Sequence, residues 1–313
     1  MRVLVTGGAG FIGSHVVDAL LQGGHQVAVL DNLSTGKREH VPNGVQLFEA
    51  DLRNAEATRR VLADFSPDAV SHQAAQASVA VSVRDPRLDA EINVMGGIHL
   101  LDACVASGVK KLVFASTGGA IYGEIPEGTR ADESFAAAPL SPYAISKYSF
   151  ELLLAVYRQH HGLASSTLRY ANVYGPRQDP YGEAGVVAVF TNTARAGGTL
   201  RVNARRVQGD SGCVRDYVYV GDVARANVRA LQGELAPVVL NIASGTGVTT
   251  EELARTILER VGNGGADLDS GPPRAGDLER SVLDATLAHS LLGPFVGLSE
   301  GLTRTIDYQR SRA

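Results

Sequence analysis

The sequence predicts an α/β fold in which a doubly wound parallel sheet is followed by a smaller C-terminal lobe. Three observations favour this fold. Buried-type strands alternate with helical patterns over the first 177 residues, a glycine-rich loop joins the first strand to the first helix, and after Pro176 the chain turns to glycine, arginine and short mixed elements. Continuous apolar strands that alternate with helices are typical of parallel sheets covered on both faces.

The predicted elements follow one another in a regular order. A β-branched strand at 2–6 and an apolar strand at 26–30 flank a helix at 13–23, which gives a β-α-β unit. The strand at 238–242 lies late in the chain, and we expect it to rejoin the main sheet. The remaining strands are predicted at 45–48, 69–71, 111–115 and 165–169, and the remaining helices at 55–65, 89–107 and 142–161.

Composition narrows the possible partners. The chain has 313 residues, 44% of them apolar, which is ample for a sizeable core. Its 29 basic against 33 acidic side chains give a net charge of −4, so a basic nucleic-acid-binding face is not expected. Only Cys104 and Cys213 are present, which excludes a disulfide framework and a cysteine-rich zinc site and favours a reducing compartment.

Hydropathy gives a further expectation about location. The apolar run at the N-terminus breaks into glycines within a few residues, and no later stretch offers about 18 uninterrupted apolar residues. We therefore expect neither a signal peptide nor a membrane partner. The expectation is a cytoplasmic protein without a bound metal.

The loop at 7–13 is the strongest functional signal. It reads G-x-x-G-x-x-G from Gly7 through Gly10 to Gly13, and it lies between a strand and a helix. Such glycines let backbone amides at a helix N-terminus approach a pyrophosphate, although a glycine-rich loop also serves as a tight turn. Asp31 follows Gly13 by 18 residues at the end of the second strand, where a carboxylate accepts hydrogen bonds from an adenosine ribose. Together these features predict a dinucleotide site.

The residues around Asp31 bear on which dinucleotide binds. An acidic side chain there repels a 2′-phosphate and favours NAD over NADP. Lys37 and Arg38 lie close in sequence and are either a phosphate contact or an ordinary solvated pair. Asp51 and Leu52 end the third strand near the expected adenine position, and for Asp51 a helix-capping role is equally compatible with the sequence.

A second motif begins a predicted helix. Ser141 is a candidate N-cap and Pro142 a candidate first helical residue, which places Tyr143 and Lys147 at positions i and i+4 on one face. A nearby ammonium favours the phenolate and lowers the pKa of a tyrosine, so Tyr143 is a candidate general base. An ordinary surface pair is the alternative for the motif taken alone.

These motifs together resemble the extended short-chain dehydrogenase/reductase family, a group with a Rossmann-type sheet. Further segments are similar to the nucleotide-sugar epimerases of the UDP-galactose (UDP-glucose) 4-epimerase type, and they run from residue 3 to about residue 292. The segments lie at 31–37, 72–75, 169–177, 215–220, 241–245 and 274–278, and Asn93 matches as well.

The resemblance implies a cofactor and a division of the chain. Residues 1–177 would form the NAD-binding Rossmann domain, with segments near 215–245 rejoining it, and residues 178–313 would be mainly a substrate-binding lobe. The residues implied to bind NAD are Gly7, Gly10, Phe11, Ile12, Gly13, Asp31, Asn32, Ser34, Thr35, Gly36, Asp51, Leu52, Gln73, Ala74, Ala75, Asn93, Tyr143, Lys147 and Tyr170.

The resemblance also implies a reaction. Tyr143 would remove the proton of the sugar 4-hydroxyl while NAD takes the hydride from the same carbon, and Lys147 would hold the nicotinamide ribose. Thr117, or Ser116 beside it, would contact the reacting hydroxyl, although a strand-end turn with hydroxyls bonded to backbone is the alternative. Dehydratases and decarboxylases of this type carry an acid directly after this position, whereas here Gly118 and Gly119 follow. Reversible oxidation at carbon 4 is therefore the expected chemistry.

Substrate contacts are implied later in the chain. Asn172, Arg215 and Arg274 would bind the diphosphate of a UDP-sugar, and Asp277 would lie near the uridine ribose. Ser281 stands where the family places a side chain that limits sugar size, so we expect activity on N-acetylhexosamine nucleotides in addition to hexose ones.

Three alternatives stay open on the sequence. Arg205 and Arg206 offer a possible contact for a uronate carboxylate, which would indicate a UDP-glucuronate 4-epimerase. Another nucleotide-sugar dehydrogenase or decarboxylase would share the fold and cofactor. A non-catalytic dinucleotide-sensing relative would tend to lose Tyr143 and Lys147, which are present. The resemblance also implies a homodimer that pairs through the helices at 89–107 and 142–161, although apolar stripes on these helices are equally typical of ordinary core.

Overall fold

The computed structural model of the protein describes residues 1–181, 185–235, 238–274 and 276–311. In chain order the strands of these residues are β1 (Arg2–Thr6), β2 (Gln26–Asp31), β3 (Gln46–Glu49), β4 (Ala69–His72), β5 (Lys111–Thr117), β6 (Ala164–Tyr170), β7 (Asn172–Tyr174), β8 (Leu200–Asn203), β9 (Val214–Tyr219), β10 (Val239–Ile242), β11 (Gly247–Thr249), β12 (Leu268–Gly271) and β13 (Arg280–Ser281).

Helices are present in all the regions where the sequence predicts them. They are α1 (Phe11–Gln22), α2 (Ala55–Phe65), α3 (Val79–Arg84), α4 (Pro86–Ala90), α5 (Gly96–Ala106), α6 (Gly118–Ile121), α7 (Pro142–His161), α8 (Val186–Arg195), α9 (Val220–Leu231), α10 (Thr250–Val261), α11 (Thr286–Leu292) and α12 (Leu298–Arg310). A 3₁₀ turn at Arg38–His40 and a π-helical turn at Glu91–Met95 complete the set.

The main sheet has seven strands in the order β10-β6-β5-β4-β1-β2-β3. The pairs β1–β2, β1–β4, β2–β3 and β4–β5 are parallel. From β3 to β6 the strand order 3-2-1-4-5-6 is that of a dinucleotide-binding Rossmann sheet, and the order reverses between β1 and β4. The predicted doubly wound parallel sheet is confirmed, and the predicted strand at 238–242 joins its edge as β10.

The core of this sheet explains why these segments are strands and helices. Val3, Leu4 and Val5 of β1 are fully buried, because a central strand of a doubly wound sheet is covered on both faces. Leu100 and Leu101 of α5 and Phe150 of α7 pack into the same cluster as Leu4 and Phe114. Burial on both faces makes the strands read as continuous apolar runs in the sequence.

The predicted single helix at 89–107 is divided in the structure. Pro86 starts α4, the π-helical turn Glu91–Met95 follows, and α5 continues to Ala106. Gly97 of α5 faces the ring of Phe150, and a Cβ at Gly97 would overlap that ring. The missing side chain therefore lets α5 and α7 approach closely.

The chain forms two compact units. The first consists of Met1–Thr117, Pro139–Arg169 and Val223–Leu240, and the second of Gly118–Ala138, Tyr170–Asp222 and Asn241–Ala313. The bounds of these units thus differ from a single domain boundary at residue 177, because each unit consists of several separate segments of the chain. The assignment of NAD binding to one part and substrate binding to the other stays a prediction.

The second unit has small sheets of its own. Strands β11, β9 and β13 lie side by side, β7 pairs with β9, and β12 pairs with β8. The pairing of β7 and of β13 with β9 is parallel, whereas that of β11 with β9 is antiparallel. None of the helices in the described ranges has the length and apolar character needed to cross a membrane.

Candidate active site

The glycine loop after β1 has a conformation that side chains would prevent. Gly7 adopts a φ of +67°, and a Cβ there would lie 2.6 Å from the backbone nitrogen of Ala74. A Cβ at Gly13 would overlap the carbonyl oxygen of Gly7. Gly7 and Gly13 are thus needed for the loop itself, which joins the end of β1 to the start of α1.

Gly10 differs from these two glycines and indicates the space for a ligand. It is the N-cap of α1 and makes no side-chain cap, and a Cβ there would meet only the Gly7 carbonyl oxygen, at 3.2 Å. The first amides of an α-helix, here those of Phe11, Ile12 and Gly13, have no partner within the helix. Open space above these amides fits a pyrophosphate of a dinucleotide.

Asp31 ends β2 and holds the loops beside the glycines. Its Oδ2 accepts from the Ala9 amide at 3.0 Å and its Oδ1 from the Leu33 amide at 2.8 Å. Burial, to 7% exposure, raises its pKa and outweighs the two backbone hydrogen bonds, which lower it. A carboxylate accepts about four hydrogen bonds, so it retains capacity for ribose hydroxyls.

The segment after Asp31 folds back towards the glycine loop. The Asn32 side chain accepts from both the amide and the hydroxyl of Ser34 and donates to Asp51 at 2.9 Å. Thr35 is exposed, and the amide of Lys37 donates to the carbonyl of Ala9. A Cβ at Gly36 would lie 2.8 Å from an Asp31 oxygen, so a larger residue there would displace the Asp31 carboxylate.

Asp51 and Arg38 both have charged partners within the protein. Arg53 bonds the Asp51 carboxylate through its guanidinium, which lowers the pKa of that carboxyl to about 2. The N-cap of α2 is Asn54, so the capping role considered for Asp51 is wrong. Arg38 forms an exposed ion pair with Glu49 at 2.6 Å, the arrangement of an ordinary solvated side chain.

The end of β4 lies next to the end of β1. The Gln73 amide donates to the Thr6 carbonyl at 3.1 Å, and the Ala74 amide donates to the Thr6 hydroxyl at 3.3 Å. The Gln73 side chain donates to Asn227 at 2.9 Å. Ala75 follows directly, and Leu52 is buried in the core beneath α5. Gln73 and Ala74 therefore lie beside Thr6 at the carboxyl edge of the sheet, where ligands bind in such folds.

Asn93 lies in the π-helical turn, and its side-chain amide forms hydrogen bonds with other residues of the protein. Its oxygen accepts from the Gln76 amide at 2.9 Å, and its nitrogen donates to the Gln76 carbonyl at 2.9 Å and to Ser146 at 3.2 Å. Ser146 precedes Lys147 on α7. The structure thus shows Asn93 holding α7 to the loop after β4, and its contact with NAD stays a prediction.

Helix α7 begins as the sequence predicts. The Ser141 hydroxyl caps it by accepting from the Ala144 amide at 3.2 Å, and Pro142 is its first residue. Tyr143 is half-buried and Lys147 is buried to 4% exposure, one turn apart on the same face. The helix packs on β5, whose last residue is Thr117.

The Lys147 ammonium is buried against an aromatic ring. It sits 4.6 Å from the centre of the Phe114 ring, which stacks on His72. Burial, with the charge of Lys147, lowers the pKa of His72 to about 3, so His72 is neutral at physiological pH. Its Nδ1 is 2.7 Å from the Thr6 hydroxyl. Because the His72 imidazole is neutral, it does not repel the Lys147 ammonium.

The hydroxyls of Ser116 and Thr117 differ in surroundings. Ser116 is 3% exposed and donates to Oε1 of Glu151 at 2.5 Å. Thr117 is half-buried at the end of β5. Since successive side chains of a strand point to opposite faces, the two hydroxyls point apart.

The predicted substrate contacts fall in the second unit. Asn172 of β7 donates to the Asp216 carbonyl at 3.2 Å, and Arg215 of β9 donates to the Leu278 carbonyl at 2.5 Å. Ser281 of β13 pairs with Arg215 and is 1% exposed, and its hydroxyl donates to the Gly119 carbonyl at 3.2 Å. The unit therefore brings Asn172, Arg215 and Ser281 together on neighbouring strands.

The turn before β13 carries the other two predicted contacts. Arg274 and Asp277 are exposed, and the Asp277 amide donates to the Arg274 carbonyl at 3.3 Å. Ala275 of this segment lies outside the described residues. The remaining predicted residue, Tyr170, is 5% exposed at the end of β6.

Sequence reasoning missed several residues that shape the site. Glu151 bonds Ser116 and forms a buried ion pair with Arg169, and Phe114 lies beneath Lys147. One signal was available, because Glu151 continues the spacing of Tyr143 and Lys147 by one more turn. Phe114 gives no such signal, since it reads as an ordinary buried strand residue.

The fold and the site together define a class of protein. A Rossmann sheet, a glycine loop that fits a dinucleotide, and a tyrosine and lysine one turn apart on a helix beside the sheet are the features of a short-chain dehydrogenase/reductase. A family model described as the NAD dependent epimerase/dehydratase family matches residues 3–243. The chain belongs to this family, which confirms the predicted resemblance and the predicted cofactor, NAD.

Individual relatives agree with this membership. The UDP-glucose 4-epimerase of Mycolicibacterium smegmatis is 42% identical over 320 residues, covering 100% of both chains. The crystal structure of Thermus thermophilus UDP-glucose 4-epimerase in complex with NAD is 55% identical, with a TM-score of 0.95 and 100% coverage of both chains. That of the Thermotoga maritima UDP-glucose 4-epimerase with UDP-glucose is 46% identical, with a TM-score of 0.93, and covers 100% of this chain and 99% of the other.

Proposed function

We propose that this protein is an NAD-dependent 4-epimerase that interconverts UDP-glucose and UDP-galactose. One observation carries the proposal within the family. Tyr143 and Lys147 lie on the face of α7 near its start, α7 packs on β5, and β5 ends at Thr117. This set supplies what oxidation of a sugar hydroxyl requires of the protein, namely a base, a cation and a hydroxyl contact.

The side chains have separate roles in the reaction. Bound NAD supplies a hydrogen acceptor and donor for carbon 4 of the sugar. Tyr143 takes the proton of the 4-hydroxyl at its phenolic oxygen and returns it later, and Thr117 orients that hydroxyl. The buried charge of Lys147 favours the phenolate form of Tyr143, and it acts strongly because it is shielded from water.

The residues after Thr117 favour epimerisation over dehydration. The family includes dehydratases, and removal of water from the sugar needs an acid to protonate the leaving hydroxyl. Here Gly118 and Gly119 follow Thr117, and neither carries a side chain that donates a proton. Oxidation and re-reduction at carbon 4 needs no such acid.

The second unit supports a nucleotide diphosphate as the rest of the substrate. Asn172 and Arg215 lie on adjacent strands, and a guanidinium binds phosphate oxygens with two parallel hydrogen bonds. Arg274 would add a second cation and Asp277 an acceptor for ribose hydroxyls. Ser281 is a small residue at the position where the family places a side chain that limits sugar size, so the proposal extends to UDP-N-acetylglucosamine and UDP-N-acetylgalactosamine.

A uronate substrate has less support. Arg205, the first candidate for a carboxylate contact, pairs with Glu127 at 3.0 Å. Arg206 pairs with Glu279 at 2.6 Å. Both guanidinium groups already have carboxylate partners within the protein, so no observation favours UDP-glucuronate.

A homodimer in the cytoplasm is the second part of the proposal. Ile145, Leu152 and Val156 of α7 are 52%, 54% and 49% exposed and lie on the helix face opposite Tyr143 and Lys147. An apolar face of this kind indicates a protein contact, and pairing of α5 and α7 with a second copy would cover it. Cys104 and Cys213 are both free, which is consistent with a reducing compartment.

The reaction is tested on purified protein without added cofactor. UDP-galactose, UDP-N-acetylgalactosamine and UDP-glucuronate are mixed with it in turn and followed by proton NMR. We expect UDP-galactose and UDP-N-acetylgalactosamine to reach an equilibrium with their C4 epimers. If none of the three sugars is epimerised, the proposed epimerase activity is refuted. If only UDP-glucuronate is epimerised, the substrate is UDP-glucuronate and not UDP-galactose.

A further inference from the structure

A buried polar network in the first unit joins the end of β5 to the middle of α7. Ser116, Glu151 and Arg169 are 3%, 9% and 7% exposed. The Ser116 hydroxyl donates to Glu151 Oε1 at 2.5 Å, and Arg169 donates to the same oxygen through Nε at 3.0 Å and to Oε2 through Nη2 at 2.6 Å. Three elements, β5, α7 and β6, thus meet in one set of hydrogen bonds.

Stability alone does not account for this arrangement. A buried ion pair loses the hydration of both ions and is about as stable as well-packed apolar residues of the same size. What two parallel Arg–carboxylate bonds supply is a fixed direction for the carboxylate. The Glu151 oxygen that accepts from Ser116 also accepts from Arg169, which holds it in place.

The position of the network relates it to the reaction. Glu151 follows Lys147 by four residues and Tyr143 by eight, so all three lie along one face of α7. Ser116 directly precedes Thr117. One hydrogen bond thus links the helix that carries the base to the strand end that carries the hydroxyl contact.

We propose that Glu151 is a positioning residue that fixes Thr117 relative to Tyr143 through its hydrogen bond to Ser116. The Ser116 hydroxyl then donates its hydrogen bond to Glu151, and Thr117 alone contacts the sugar hydroxyl. This inference rests on the proposed function. It assigns Ser116 to the support of the site and not to the substrate contact.

Ser116→Ala tests the inference because it removes only the hydroxyl and leaves the Glu151–Arg169 pair intact. We expect kcat for UDP-galactose to fall about ten- to hundredfold, since small displacements of reacting groups cost that much, while KM stays within about twofold. The amount of bound NAD should remain that of the wild type, and the melting temperature should fall by no more than that of the control variant below, since each loses one buried hydrogen bond. Glu151→Gln also disrupts the pair with Arg169, so its kcat should be no higher than that of Ser116→Ala. The double variant should show the kcat of Glu151→Gln alone, because Ser116 acts only through Glu151.

Ser165→Ala is a matched control. Ser165 is a 7% exposed serine of β6 that accepts from Arg158 of α7 at 3.1 Å, so it too joins α7 to the sheet, but far from Tyr143. Its kcat should equal that of the wild type. If Glu151→Gln does not fold, Ser116→Ala and Ser165→Ala still decide the matter.

Two results would overturn the inference while the proposed function stands. Either Ser116→Ala retains the wild-type kcat, or its loss equals that of Thr117→Val, which would make Ser116 a substrate contact itself. A wild-type protein that does not epimerise UDP-galactose would instead refute the proposed function and, with it, the inference.

Discussion

At the scale of single residues, Lys147 places an ammonium group in the protein interior. The ammonium is buried, lies over Phe114 and has a neutral histidine nearby, because the pKa of His72 is lowered to about 3. In such surroundings a charge acts over a longer distance than it does in water. In the proposed reaction, this charge would favour the phenolate of Tyr143 more strongly than the same charge would on a surface.

The role of Tyr143 gives the first prediction. Tyr143→Phe removes the phenolic oxygen and keeps the ring, so kcat should fall about 10²- to 10⁴-fold, the usual contribution of a general base. The NAD released from the denatured protein should be unchanged. Normal turnover by this variant would remove Tyr143 as the base.

Ser281 gives a prediction about substrate size. Ser281→Tyr should lower activity on UDP-N-acetylgalactosamine at least tenfold relative to UDP-galactose, because a large side chain occupies the space for the acetamido group. Activity on UDP-galactose serves as the test of folding. Ser270→Tyr, on an exposed position of β12, is the control. An unchanged ratio of the two activities in Ser281→Tyr would show that this side chain does not limit the sugar.

Residue positions were predictable where the signal is local. Gly7, Gly13 and Asp31 lie in one β-α-β unit, and Tyr143 and Lys147 lie in one helix turn, so their spacing makes them candidate site residues once the two motifs are taken together. Glu151 and Ser116 are 35 residues apart, and only the packing of α7 on β5 brings them together. Asn93 is similar, since its bonds to Gln76 and Ser146 depend on tertiary structure.

At the scale of elements, α7 has two faces of different character. Tyr143, Lys147 and Glu151 follow one face, and the exposed apolar residues follow the opposite one. The bounds of this helix were predicted because both ends carry local signals, Ser141 with Pro142 at the start and Gly162, with a φ of +68°, at the end. The π-helical turn before α5 was not predictable, because the apolar spacing of a helix does not reveal a single wide turn.

The contact of α5 with α7 gives a prediction for Gly97. Gly97→Ala places a methyl group against the fully buried ring of Phe150, and overpacking of this kind costs about 1–3 kcal/mol of unfolding free energy. Denaturant unfolding measures the loss. In Gly265→Ala the new methyl group meets no atom within 4 Å, so that variant should change the free energy by less than about 0.5 kcal/mol. Equal stability of the two variants would contradict the close packing of α5 on α7.

At the scale of the whole molecule, the chain builds two units from interleaved segments. Gly118–Ala138 belongs to the second unit although it follows β5 of the first, and Val223–Leu240 belongs to the first. A sequence read from one end to the other favours contiguous domains, so a boundary at residue 177 was the natural expectation. The sequence shows no change of composition at the points where the chain leaves one unit and enters the other.

The exposed face of α7 gives a prediction about assembly. Leu152→Glu places a charge in the middle of that face, so the proposed dimer should dissociate and the mass from light scattering should halve. Val207→Glu alters an equally apolar and 71% exposed position elsewhere, and its mass should match the wild type. A monomeric wild type, or a Leu152→Glu protein that remains dimeric, would contradict pairing through α7.

Transient oxidation at carbon 4 is tested most directly by an isotope at that carbon. UDP-galactose that carries deuterium at carbon 4 is incubated in ordinary water with the purified protein and no added NAD. The UDP-glucose formed should retain the deuterium at carbon 4, since the hydrogen that leaves this carbon returns to it. Formation of UDP-glucose with ordinary hydrogen at carbon 4, or no UDP-glucose at all, would contradict the proposed reaction.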